Sequence, residues 1–80
     1  MYTQSIIHAF EIDVCNLNRS MPIIAVGQSL NTLLSGDVLR INACSQTTAK
    51  LLSTFCANTG HTLLQHVEID DDVTLYVRKN

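Results

Sequence analysis

Apolar and polar positions alternate along two parts of the chain in the manner of β-strands. Between residues 5 and 13, Ile, His, Phe and Ile on one face alternate with Ile, Ala and Glu on the other. We therefore expect a first strand over residues 5–13 and place it in the centre of a sheet, where both faces are covered. Residues 38–43 alternate three apolar side chains with a mixed set, which predicts a half-buried second strand.

Two segments have the spacing of helices. Ser20 is a favourable N-cap, and Pro22 fits the first turn because proline lacks the N–H that would be unpaired there. We expect this helix to end at Gly36 in a left-handed cap, and a second helix to run from a Ser45 N-cap to Gly60. The predicted apolar stripes are Ile23, Gly27, Leu30 and Leu34 in the first helix, and Thr48, Leu51, Leu52, Phe55 and Cys56 in the second.

The C-terminal part of the chain reads as a β-hairpin. Residues 61–68 and 73–79 are rich in Leu, Val and Thr and flank the acidic triplet at 70–72, which is typical of two strands joined by a solvated turn. The element order is then β-α-β-α-β-β, and the helical crossover makes the first two strands parallel, with both helices on one side. The predicted fold class is an α/β (α+β) two-layer sandwich, a four-stranded mixed sheet with two helices on one face. Its predicted core is Phe10, Ile12, Ile23, Leu30, Leu34, Leu39, Ile41, Leu52, Phe55, Leu75 and Val77.

Composition narrows the class of protein. The 80 residues suit a single domain over 1–80, and 46% hydrophobic with 15% charged residues is typical of a globular chain. A net charge of −2 with five basic residues argues against a broad nucleic-acid-binding face, so no direct nucleic-acid binding is expected. No apolar run approaches a membrane span and the N-terminus does not resemble a signal peptide, so we expect a cytoplasmic protein that does not bind membranes.

The cysteines and histidines show no spacing typical of a metal or redox motif. Cys15, Cys44 and Cys56 are odd in number and include no Cys-x-x-Cys pair, so we expect reduced thiols. Cys56 lies on the apolar stripe of the second helix and is expected in the core. Cys15 and Cys44 follow consecutive parallel strands, whose carboxyl ends share an edge, so they are expected to be neighbours. The three histidines show no ligand spacing, and neither a metal nor a cofactor is predicted.

The loop before the first helix reads Asp-Val-Cys-Asn-Leu-Asn-Arg-Ser-Met-Pro over residues 13–22. It resembles the opening motif of the TusA/SirA/YedF family of small sulfur carriers, in which a strand is followed by Asp-x-x-Gly-x-x-Cys-Pro-x-Pro. Without a gap, Asp13 takes the place of the Asp, Asn16 that of the Gly, Arg19 that of the Cys, and Ser20 and Pro22 those of the two prolines.

The resemblance continues through residues 23–25, 35–37, 38–43 and 76–79, and so covers nearly the whole chain. It implies a two-layer fold similar to the C-terminal domain of bacterial translation initiation factor three. It also implies a persulfide-carrying cysteine at the start of the first helix, in a motif that is degenerate here. Asn16 in place of glycine is expected to adopt the left-handed backbone that such a turn needs.

Arg19 changes the chemistry that the family motif would support. A guanidinium is not a nucleophile and cannot hold sulfane sulfur, so direct sulfur transfer at this position is excluded. Beside a helix N-terminus, its charge would favour an anion or an acidic partner, with Ser20 and the Met21 amide as further donors. The alternative interpretation is a solvated loop residue with no ligand.

Cys15 is the candidate substitute nucleophile. It lies four residues before Arg19, and a thiol near a cation and a helix start has a lowered pKa. The alternative is a small packing residue with ordinary reactivity. The candidate binding residues around it are Arg19, Ser20, Met21, Pro22, Cys44 and Ser45.

Two functions are compatible with these sequence features. The first is a non-catalytic binding or regulatory module that docks onto sulfur-relay proteins, or onto another family member, through the loop around Arg19. The second is an active persulfide sulfurtransferase that uses Cys15 as its acceptor, in the pathways that the resemblance implies, namely tRNA thiolation, cofactor synthesis or sulfur oxidation.

Overall fold

The computed structural model describes residues 8–80, which form four strands and two helices in the predicted order β-α-β-α-β-β. Residues 5–7 of the predicted first strand lie outside the described part of the chain. The elements are β1 (Phe10–Asp13), α1 (Met21–Asn31), β2 (Val38–Ala43), α2 (Gln46–Asn58), β3 (Thr62–Ile69) and β4 (Asp72–Arg78).

The four strands form one mixed sheet in the order β1-β2-β4-β3. β1 pairs with β2 in parallel, with Phe10 opposite Leu39 and Asp13 opposite Asn42, whereas β4 pairs antiparallel with both β2 and β3. The predicted mixed sheet is therefore confirmed, but the central position expected for the first strand is wrong. β4 occupies the other side of β2 and leaves β1 at the edge, because apolar character on both faces does not determine how many neighbours a strand pairs with.

The core lies between one face of the sheet and the two helices. Alternate residues of β2 and β4 point into it, and both helices cover that face, as predicted. Six predicted core residues are buried, three are partly buried and pack against the core, and two predictions are wrong: Phe10 is 51% exposed and Leu34 is 76% exposed. The hydrophobic core cluster consists of Val14, Val26, Leu30, Leu39, Ile41, Ala43, Ala49, Leu52, Cys56, Val73, Leu75 and Val77.

α1 buries a stripe that only partly matches the predicted one. Leu30 is buried as predicted, but the other buried residues are Pro22 and Val26, each one position before the predicted Ile23 and Gly27. Both stripes are apolar, so periodicity alone does not choose between them. The helix ends at Asn31, so Leu34 lies beyond it. Gly36 is not its cap: it has φ +93° and is the third residue of a turn closed by a hydrogen bond from the Asp37 amide to the Leu34 carbonyl, a position that requires positive φ.

α2 begins and ends close to the predicted residues. The Thr48 amide donates to Ser45 Oγ at 3.2 Å, which confirms Ser45 as the N-cap. The helix ends at Asn58, shortly before Gly60 with φ +89°. The predicted hairpin is confirmed as well, since Ile69 pairs with Asp72 across a two-residue turn.

A disulfide joins Cys15, just after β1, to Cys44, just after β2, with the two Cα atoms 5.0 Å apart. The parallel pairing of β1 and β2 brings these cysteines to one edge, which confirms that they are neighbours. The expectation that both thiols are reduced is wrong in this structure. The bond could not be predicted from local sequence, because the two cysteines are 29 positions apart in the chain.

The core assignment predicts that Leu52→Ala lowers the free energy of unfolding by about 2–5 kcal/mol, because a fully buried side chain is replaced by a cavity. Urea denaturation followed by circular dichroism measures this loss. Leu34→Ala is the matched control, since the same side chain is removed from an exposed position outside α1, and its effect should stay below about 1 kcal/mol. Equal losses in the two variants would show that the core is misplaced.

The disulfide predicts a redox-dependent stability. Replacing both Cys15 and Cys44 by serine, or reducing the bond, should lower the free energy of unfolding by about 3 kcal/mol, since the cross-link restricts the unfolded chain. Thermal unfolding with and without dithiothreitol tests this. Dithiothreitol should lower the unfolding temperature of the wild-type protein and leave that of the double variant unchanged. An equal unfolding temperature of the wild-type protein with and without dithiothreitol would contradict the prediction.

Candidate functional site

The candidate site is the β1–α1 loop (residues 14–20) together with Cys44. Hydrogen bonds hold the first half of this loop in place: the Val14 amide donates to the Asn42 carbonyl at 2.9 Å, and the Leu17 amide donates to the Val14 carbonyl at 3.1 Å. The Cys15 amide donates to Asp13 Oδ1 at 2.8 Å. Val14 itself is buried, so the loop leaves the sheet from a well-anchored point.

Arg19 has an unusual backbone conformation. The Met21 amide donates to the Asn18 carbonyl at 3.0 Å, which closes a four-residue turn with Arg19 in its second position at φ +59°. Because Ser20 has a negative φ of −85°, this pattern matches a type II′ turn, whose second position normally takes glycine. A non-glycine residue there is strained by about 1–3 kcal/mol, and such strain is concentrated at functional sites.

The left-handed residue of the loop was predicted at the wrong position. Among the described residues, the positive φ values outside glycine are at Arg19 and Asp70, so Asn16 does not adopt the conformation expected of it. The turn with positive φ lies immediately before α1, three residues further along the chain. Matching Asn16 to the motif's glycine therefore did not predict the backbone.

The start of α1 offers fewer donors to an anion than the sequence suggests. Met21, an expected donor, already donates its amide to Asn18, and Pro22 has no N–H. Ser20 precedes the helix with φ and ψ of −85° and −2° and makes no side-chain capping hydrogen bond, so its predicted role as a side-chain cap is wrong. The exposed Arg19 side chain is therefore the principal group of this loop for binding an anion.

Exposed apolar side chains follow Arg19 at the start of α1. Met21 is 49% exposed and Ile24 is 46% exposed, three residues apart on the same side of α1. Pro22, also a predicted binding residue, is buried and supports the helix from inside. The surface beside the loop thus combines one cation with two apolar side chains.

The cysteines differ in their surroundings. Cys44 is exposed and Cys15 is half buried, and the bond between them lies at the surface. Cys44 directly precedes Ser45, whose side chain caps α2 and is therefore occupied within the protein. Cys56 is fully buried, and burial raises the pKa of its thiol to about 11, so it remains protonated and unreactive.

A second depression lies between α2 and β3, on the edge of the sheet opposite β1. The Gln46 side-chain amide donates to the Glu68 carboxylate there, and His66 Nε2 lies 3.5 Å from Glu68 Oε1. This lining has no thiol and is separate from the loop. Within residues 8–80 no helix is long and apolar enough to cross a membrane, and no three metal-binding side chains cluster together.

Comparisons with known proteins agree on one family. The model of the family described as Sulfurtransferase TusA matches residues 10–79. A Neisseria meningitidis protein whose name proposes a sulfur-carrier function is 34% identical over 67 residues, covering 84% of this chain and 90% of that protein. The sulfur carrier protein TusA of Allochromatium vinosum is 29% identical over 70 residues, covering 88% of this chain and 92% of that protein.

The fold is also found among solved structures. A SirA-like protein from Desulfitobacterium hafniense superposes with a TM-score of 0.76 over 86% of this chain and 95% of that one, at 17% identity. This likeness supports the fold, and the family match over residues 10–79 supports the relationship. The chain belongs to the TusA family.

Proposed function

We propose that this chain is a docking module of sulfur transfer, which binds a protein partner through the β1–α1 loop, and that the Arg19 position of this loop is non-catalytic. The observation that carries the proposal is Arg19: its side chain is exposed, its backbone is strained, and the gap-free match to the family motif puts it where the persulfide cysteine would be. At that position the chain presents a charged hydrogen-bond donor instead of a nucleophile.

The chemistry of the loop favours a carboxylate on the partner. A guanidinium binds a carboxylate through two parallel hydrogen bonds. Met21 and Ile24 add exposed apolar area beside it, and Arg and Met are enriched in protein interfaces. The partner is therefore a protein surface with an acidic group next to an apolar patch, on a sulfur-relay protein or another member of the family. The net charge of −2 provides no attraction for nucleic acid.

A second candidate function is sulfur carriage by Cys15 itself. The observation that favours it is the position of Cys15, next to Cys44 and at the surface edge where β1 and β2 end. To accept sulfur from a persulfide donor, Cys15 needs a free thiol, so its bond to Cys44 is reduced first. This function requires that the reduced Cys44→Ser variant gain one sulfur atom, located on Cys15 by mass spectrometry, after exposure to a persulfide donor.

The docking function predicts that Arg19→Ala weakens partner binding about fivefold, equivalent to losing an interaction of about 1 kcal/mol. NMR titration of the labelled protein with Allochromatium vinosum TusA provides one protein probe, and acetate provides a simple carboxylate. We expect the shifts to cluster on the β1–α1 loop and the first turn of α1. Both interactions should weaken with salt, because exposed charges are screened over about 10 Å at 0.1 M.

Lys50→Ala is the matched control for this titration. It removes one positive charge from an exposed position of α2, beside β3 and on the edge opposite the loop, and it should bind like the wild-type protein. If Arg19→Ala also bound like the wild type, or if the shifts clustered on the hairpin between β3 and β4, docking through the loop would be refuted.

Substitutions of Arg19 in the strained turn have different effects on protein stability and on partner binding. Arg19→Gly should raise the free energy of unfolding by about 0.5–1 kcal/mol, since glycine adopts positive φ without the cost to an L-residue and this gain exceeds its greater freedom when unfolded. Arg19→Ala keeps the β-carbon and should leave stability within about 0.5 kcal/mol of wild type. Urea denaturation measures both effects. Partner binding should fall in both variants. A glycine variant with a lower free energy of unfolding than the alanine variant would show that the backbone at residue 19 is not strained.

A further inference from the structure

The Cys15–Cys44 pair is the feature of this chain that docking leaves unexplained. The two sulfur atoms are bonded to each other at the surface edge of the sheet, one residue exposed and the other half buried, while the third cysteine is enclosed in the core. When one of two cysteines held this close carries a leaving group on its sulfur, the thiolate of the other attacks that sulfur faster than a thiol from solution does, because no encounter is needed. An exposed disulfide is also accessible to attack by an external thiol.

We propose that Cys15 and Cys44 form a redox-active dithiol–disulfide pair that releases sulfide from an incoming persulfide. The substrate class is a low-molecular-weight or protein persulfide, and the co-reactant that restores the pair is a dithiol reductant. This activity is additional to docking through Arg19, because a small persulfide can reach the pair without a protein partner. The proposal assigns the two cysteines different roles.

Cys44 is the accepting thiol. It is the more exposed of the two and lies directly before the N-cap of α2, where the helix start favours the thiolate. In the reduced protein, this thiolate attacks the outer sulfur of the persulfide. The bond between the two donor sulfurs breaks, the donor leaves as a thiolate that takes up a proton, and Cys44 now carries the extra sulfur.

Cys15 is the resolving thiol. Its thiolate attacks the Cys44 sulfur that is bonded to carbon, the Cys15–Cys44 disulfide forms, and the outer sulfur leaves as hydrosulfide. The sulfane sulfur gains two electrons, and the two cysteine thiols lose them. A dithiol reductant then opens the disulfide, becomes a disulfide itself and returns both cysteines to thiols.

This division of roles distinguishes the pair from a sulfur carrier. A sulfur carrier keeps its persulfide until a partner takes the sulfur. A second thiol within bonding distance would attack that persulfide and release the sulfur as sulfide. Cys44 and Cys15 are within bonding distance in this structure. The geometry therefore favours reduction of sulfane sulfur to sulfide over storage.

The test uses the full chain, reduced with dithiothreitol, desalted without oxygen and mixed with an equal amount of glutathione persulfide. Sulfide is measured by bimane derivatisation and the protein by intact mass. The wild-type protein should release about one sulfide per chain and lose the mass of two hydrogen atoms as the disulfide forms. This measurement needs no variant and no docking partner, so failure of docking through Arg19 does not affect it.

Single variants separate the two roles. Cys15→Ser should gain one sulfur atom on Cys44 and release about tenfold less sulfide than wild type, because the resolving thiol is absent. Cys44→Ser should neither gain sulfur nor release sulfide above the level without protein. Cys56→Ala, which removes the buried thiol, is the matched control and should behave like wild type. Circular dichroism of each reduced protein checks that it is folded.

Three results would overturn the proposal. One is a wild-type protein that keeps the added sulfur without releasing sulfide, and another is a wild-type protein that does not react. The third is a Cys44→Ser variant that gains sulfur on Cys15, which would refute these roles and support sulfur carriage by Cys15 instead. Each result is distinct from the loss of partner binding by Arg19→Ala, so the two proposals can fail separately.

Discussion

The parallel pairing of β1 with β2 is the interaction on which the candidate site depends. With Asp13 opposite Asn42, both strands end at one edge, and the hydrogen bond from the Val14 amide to the Asn42 carbonyl extends the pairing by one residue. Cys15 directly follows Val14, and Cys44 directly follows Ala43, the last residue of β2. A different register or an antiparallel pairing would separate them, so the disulfide and the loop conformation both follow from this one contact.

Burial determines which of the three thiols can take part in chemistry. Cys56 packs between α2 and the sheet, where desolvation raises its pKa and keeps it protonated. Cys15 and Cys44 lie where the strands end and the core stops, so their sulfur atoms are close to solvent and to each other. The same residue type is a buried packing group in the helix and forms a disulfide at the sheet edge, and the two environments differ in polarity and access.

The position of the cysteine in the family motif differs from the positions of the surface cysteines in this chain. The family motif concentrates sulfur chemistry at the start of the first helix, where this chain has Arg19 on a strained turn. The two cysteines of this chain that lie near the surface follow the ends of β1 and β2 instead. In the functions proposed above, recognition belongs to the helix start and sulfur chemistry to the strand ends, two adjacent regions that separate substitutions can test independently.

The sequence by itself determined the element order, the exact bounds of β2, the Ser45 cap and most of the core, because these depend on local periodicity and on residues close in the chain. It also predicted that Cys15 and Cys44 would be neighbours, from the topology of consecutive parallel strands. Only the tertiary structure placed β1 at the edge, buried Pro22 and Val26 of α1 beside the predicted Leu30, and showed the disulfide. Strand order, helix rotation and the distance between two thiols are set by contacts between distant segments, and a repeating apolar pattern is compatible with more than one arrangement of those contacts.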